Sequence, residues 1–202
     1  MNAVRQVVHS CALVRHCKSI FWPSVVGEDI PEEKEMQMNL VTGALTVHSA
    51  FRAVTNHIEW AVNGVVGEPQ RFRWREYEGL PGLVKATVHW DAEPGSAVRI
   101  ASQLRGWTDL RFEITEDATA VHPGTITMHT PRLGLFTAEM NHAGLVAVSA
   151  DRLEALLSSH ADDLAGLTRA IQHALGTPWD EELEPYRRGD TIVTAPALFA
   201  VS

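Results

Sequence analysis

Apolar and polar residues start to alternate at Gly43. In ALTVHS (44–49), Leu45 and Val47 fall on one side and Thr46 and His48 on the other, the period of two expected of a half-buried strand. The period then lengthens. Phe51, Val54, Ile58, Ala61, Val62 and Val65 recur at steps of three and four, with Ser49 placed to cap a helix over 50–67 and Gly67 to close it. RFRWREY (71–77) returns to alternation and, after a turn at GLPG (79–82), pairs with LVKATVHW (83–90), where Val84, Ala86, Val88 and Trp90 share a face. A second helix is predicted in EPGSAVRIASQLRGW, opened by Pro94 and stopped at Gly106. Leu110, Phe112 and Ile114 then align in a fourth strand, DLRFEITED (109–117).

The order β-α-β-β-α-β predicts an α+β fold with a ferredoxin-like antiparallel sheet, right-handed crossovers placing two helices on one face. A second hairpin is expected from GTITMHT (124–130) and LGLFTAEM (133–140), turning at Pro131–Arg132, then a short strand in GLVAVS (144–149). Ser149 is placed to cap DRLEALLSS. Leu164, Leu167, Ile171 and Leu175 mark a further helix ending at Gly176; WDEELEPYRRG reads as a short acidic turn, and TIVTAPALFAVS as a last edge strand. Residues 43–202 are therefore expected to form one domain, a core over 43–117 followed by a hairpin and C-terminal helices over 118–202. Residues 1–42 hold both cysteines and the polar run EDIPEEKE without a clear period. They read as a poorly ordered N-terminal extension or the product of an upstream start codon, with a docking tail as the alternative.

Composition narrows the function classes. The chain has 202 residues, 45% of them hydrophobic, with a net charge of −8; it is long enough for one good core and too acidic for a protein whose main task is to hold duplex nucleic acid. No run of eighteen apolar residues exists to form a membrane helix. Arg5 and Arg15 interrupt any signal-like apolar stretch, and two cysteines make no disulfide framework, so a cytoplasmic location is expected. The 14 Arg against 3 Lys fit either a GC-rich genome or a use for guanidinium forks on phosphate or carboxylate.

Arg71, Arg73 and Arg75 stand at every second position, with Phe72 and Trp74 between them. If the aromatic side faces the helices, the opposite side of the sheet carries His48, Arg71, Arg73, Arg75, Lys85, His89 and Arg111, with Thr46, Thr87 and Glu113 among them. These seven are the candidate binding residues. The face could stay open, or the hairpin 124–140 or the C-terminal helices, with Asp162, Asp163, Asp180, Glu181, Glu182 and Glu184, could fold over it and pair the guanidiniums. Dinucleotide and P-loop signatures, the nucleophile elbow and H-E-x-x-H are absent. His57-x-Glu59 lacks the C-x-x-C that a zinc deaminase would add. No catalytic residue, metal or cofactor is therefore expected. Trp60, Trp74, Trp90 and Trp107 read as packing residues, and the exposed central-strand positions hold Lys85, Thr87 and His89 where an RNA-binding sheet would place aromatics.

TVHSA (46–50), HIEWAVNGVVG (57–67), the 93–117 block, TPRLGLF (130–136) and LGTPWDEELEPYR (175–187) together resemble the actinobacterial family known as domain of unknown function 3145. The resemblance covers about residues 43–190. It implies an actinobacterial cytosolic protein whose members begin just before the first strand, and it supplies no catalytic residues to carry over. On the residues alone, the expected function is a non-enzymatic binding or regulatory module using the basic sheet face; the alternative is an enzyme or sensor for a small anionic metabolite held by the Arg and His side chains. The partner is then another protein, a small anion or a second copy of the chain, and neither nucleic acid nor membrane. A pocket beside the arginines favours the small anion, and a broad flat patch favours a protein.

Overall fold

A computed structural model describes residues 40–77 and 80–188. Seven strands, β1 (Val41–Phe51), β2 (Arg75–Tyr77), β3 (Leu80–Ala92), β4 (Arg111–Glu116), β5 (Gly124–Thr130), β6 (Gly134–Met140) and β7 (Val146–Ala147), form one antiparallel sheet. Their order is β2-β3-β1-β4-β5-β6-β7. Among the described residues five α-helices accompany them: α1 (Thr55–Val66), α2 (Ser96–Leu104), α3 (Ala150–Ser159), α4 (Leu164–Ala174) and α5 (Thr177–Arg188). The α+β class is as the periods predict, but the ferredoxin-like expectation of a four-stranded sheet with a separate hairpin needs correction. β4 is not an edge: Phe112–Glu116 pair with Thr125–His129, so the hairpin extends the sheet and satisfies the backbone groups an edge strand would leave open.

One face is built by the alternation. Leu45, Val47, Val84, Val88, Phe112 and Ile114 project from the strands against Ile58 and Val62 of α1 and Ile100 and Leu104 of α2, forming the larger core. Each fully buried Leu, Ile or Phe contributes about 1.5–3 kcal/mol. Gly43 lies against the Trp90 indole where a Cβ would collide, which explains a glycine inside the strand. The N-terminus of α2 is held from across the sheet, Gly95 and Ala97 donating their N–H groups to the buried Glu116 carboxylate at 2.8 and 2.9 Å. A carboxylate there satisfies orphan donors and meets the positive end of the helix.

Several boundaries move. Val41 is already buried, so the first strand begins two residues before Gly43. β1 continues to Phe51, making Ser49 a strand residue and not a helix cap; a 3-10 turn over Arg52–Val54 then leads into α1. Of RFRWREY only Arg75–Tyr77 join the ladder, though Phe72 and Trp74 still turn towards the helices, stacked on each other with centroids 5.4 Å apart. Trp74 Nε1 donates to Glu59 at 2.6 Å. Trp60, expected to pack, is 77% exposed because it falls on the outer side of α1, away from Ile58 and Val62. Ser149 does cap α3, accepting from the Arg152 N–H. The largest correction is at 177–188, where the predicted acidic turn is helix α5 with Pro185 inside it. The extension over 1–39, residues 78–79 of the β2–β3 turn and the edge strand expected beyond residue 188 lie outside the described residues.

Helix α5 covers part of the second sheet face. Consecutive strand residues point to opposite faces, so His129 stacks on Phe112 at 5.1 Å in the larger core while Met128 faces the other way. There Met128 and Phe136 meet Trp179 and Leu183 of α5 in a second, smaller core. Trp179 Nε1 donates to the Gly134 carbonyl at 3.0 Å. Gly176, at φ 78°, makes the turn into the helix, with Phe136 and Met128 filling the space a Cβ would take.

Candidate anion-binding hollow

The basic face is divided. Helix α5 lies over β4 to β6 and ends near the middle of β1, where Tyr186 meets Tyr77 edge-on at 6.4 Å and the Arg111 guanidinium sits 4.7 Å from the Tyr186 ring. Arg111 is thereby taken into the packing beneath α5, apart from the other candidate residues. Beyond the end of α5 the face over β1, β2 and β3 holds a hollow of about 290 Å³, lined by Thr46, His48, Arg73, Arg75, Lys85 and Thr87, with Val47 and Ala86 between them.

The local backbone explains the convergence. Arg73, Arg75 and Tyr77 keep one parity along the chain, and Arg75 pairs with Lys85 across β2–β3. Thr46 pairs with Thr87 across β1–β3, their hydroxyls 3.2 Å apart. At His48–Ser49 the register slips on both sides of β1: Val47 opposes Ala86 and Phe112, whereas Ala50 opposes Val84 and Ser49 opposes Arg111. An extra residue in one strand is a β-bulge, which bends the strand and re-aims a side chain. Here it brings His48, only 4% exposed, to the base of the hollow.

Beneath the hollow is a polar network. His48 Nε2 lies 3.2 Å from Glu113 Oε2, and Arg187 of α5 donates to that same oxygen through Nε at 3.0 Å and Nη2 at 2.9 Å. Burial works to raise the Glu113 pKa, but the His48 bond and the Arg187 charge outweigh it and hold the carboxyl below its ordinary value. The same pairing, with Asp180, raises the pKa of Arg187 against the effect of burial. The Tyr77 hydroxyl donates to the His48 carbonyl; burial, followed by Tyr186, pushes its pKa up to about 12, so Tyr77 stays neutral beneath the hollow's cations. Lys85 Nζ stands 4.8 Å from the Tyr77 ring centre.

Among the described residues, Arg71, Arg73, Arg75 and Lys85 form no ion pair, whereas Arg187 offsets the Glu113 charge beneath them. The hollow is therefore cationic within an acidic chain. Arg71 and His89 lie next to it, lining a more open hollow of about 450 Å³ with Arg73, Thr87, Gln70 and Glu68. Of the seven candidates, His48, Arg73, Arg75 and Lys85 thus line one cavity, Arg71 and His89 line its neighbour, and Arg111 lines neither. Sequence reasoning missed Tyr77, although it continues the parity of Arg73 and Arg75, and Arg187, which stood in the stretch read as a turn. Among the described residues no group of three or more His, Cys, Asp or Glu is placed to hold a metal ion, and no helix is long and apolar enough to cross a membrane.

Among the described residues, fold and site define an α+β protein whose seven-stranded sheet is covered by helices on one face and only partly on the other, leaving a basic hollow. Over residues 44–197 the sequence matches the family described as Protein of unknown function (DUF3145), and the chain belongs to that family. No curated protein and no solved structure matches it.

Proposed function

We propose that the chain is a non-enzymatic binding module whose basic sheet face takes a small anion, phosphate- or carboxylate-bearing, in the hollow between β1, β2 and β3. The observation that carries this reading is the convergence of Arg73, Arg75 and Lys85 on one concavity without an acidic partner among the described residues. Guanidinium forks match the oxygen pairs of such anions, and the paired threonine hydroxyls add neutral donors. A hollow of this size is near the lower end for small-molecule sites, which favours a metabolite over a protein surface. The ferredoxin-like reading of the core is supported by the β2-β3-β1-β4 order of the first four strands, with helices after β1 and β3. The family resemblance adds an actinobacterial, cytoplasmic setting to the proposal.

Calorimetric titration of the protein with small phosphates and carboxylates tests the reading. Arg73→Glu with Arg75→Glu should weaken binding at least about tenfold, roughly 1.4 kcal/mol, and leave the unfolding midpoint nearly unchanged because both side chains are exposed. Full affinity in the double variant contradicts the proposal. A second reading, an enzyme acting on the bound anion, has one observation in its favour: His48 lines the hollow with its ring oriented by a carboxylate, the arrangement of a general base.

A further inference from the structure

Resting on that reading, we infer that the ligand carries two separate anionic groups, one held by Arg73, Arg75 and Lys85 and the other by Arg71. The two hollows adjoin: Arg73 and Thr87 line both. Residues 71–75 alternate between exposed and half-buried, as an extended segment does, which sends Arg71, Arg73 and Arg75 to one side at intervals of about 7 Å. Arg75 and Lys85 line only the first hollow and Arg71 only the second, with Arg73 between them. A single compact anion seated in the first hollow leaves Arg71 unused, whereas two groups joined by a short polar linker engage both hollows.

The lining between the groups agrees. Thr87 and the Thr46–Thr87 hydroxyl pair stand near the junction and offer neutral donors and acceptors to a hydroxylated linker. In the second hollow Glu68 faces the same space as Arg71 without an ion pair to it, so this end is less cationic than the first. The first group is therefore the principal anchor, and the second determines length selectivity.

Two matched pairs of probes read this directly by calorimetry at fixed ionic strength: fructose 1,6-bisphosphate against fructose 6-phosphate, and adipate against hexanoate. In at least one pair the doubly anionic member should bind at least about tenfold more tightly, and the pair showing the preference identifies the head group. Arg71→Ala should abolish the preference, whereas Arg75→Ala should weaken both members. If one member of each pair binds as well as the other and Arg71→Ala changes nothing, the two-group inference is overturned while the anion-binding reading stands. If none of the four probes binds, both fall.

Discussion

Glu113 is the residue on which the two halves of the second face depend. Its Oε2 accepts from His48, which lines the hollow, and from Arg187, which belongs to α5. Because its folded pKa is depressed below the ordinary 4.5, the carboxylate contributes stability that is present above that value and lost as pH falls through the depressed one. Glu113→Gln should therefore cost about 1–3 kcal/mol at pH 7, leaving Arg187 half-buried with only Asp180 and Glu184. Urea midpoints at pH 7 and pH 3 check this. The variant should lose less stability between the two pH values than the wild type, and equal losses would show that the pair is energetically idle.

At the scale of elements, α5 determines how much of the basic face stays open. Trp179, Leu183 and Tyr186 recur at steps of four and three on one side of the helix, and the first two fill the smaller core. Trp179→Ala should cost about 3–5 kcal/mol and raise amide exchange throughout residues 177–188, with little change in α1 and α2. Uniform exchange across the chain would mean that α5 does not open as a unit. The periodic elements of the larger core were legible in the sequence because each pairs its apolar stripe with a surface of matching period. The failures have particular causes. Pro185 and the run of acids at 180–184 hid the stripe of α5, since proline removes a helical donor and clashes with the preceding turn. The bulge at His48–Ser49 kept β1 extended past a serine placed like a helix cap, and no local signal distinguishes those two uses. The continuation of the sheet past β4 depends on long-range pairing, which periodicity does not encode. The basic face itself was legible from parity alone; its division, which removes Arg111 and leaves Arg73, Arg75 and Lys85 around a hollow, depended on finding α5.

Over the whole molecule, the chain carries a net charge of −8, whereas the hollow is lined by cationic side chains. Anions are repelled at long range and attracted close to the sheet, and at physiological ionic strength the distant charges are screened beyond about 8 Å, so the hollow dominates its own neighbourhood. The most direct measurement is a backbone amide NMR titration of the 22.2 kDa chain with inorganic phosphate, in the wild type and in the Arg73→Glu, Arg75→Glu variant. Saturating shifts should be confined to the neighbourhood of Thr46, His48, Arg73, Arg75, Lys85 and Thr87, and should disappear in the variant. Shifts centred elsewhere, or unchanged in the variant, would contradict an anion site between β1, β2 and β3.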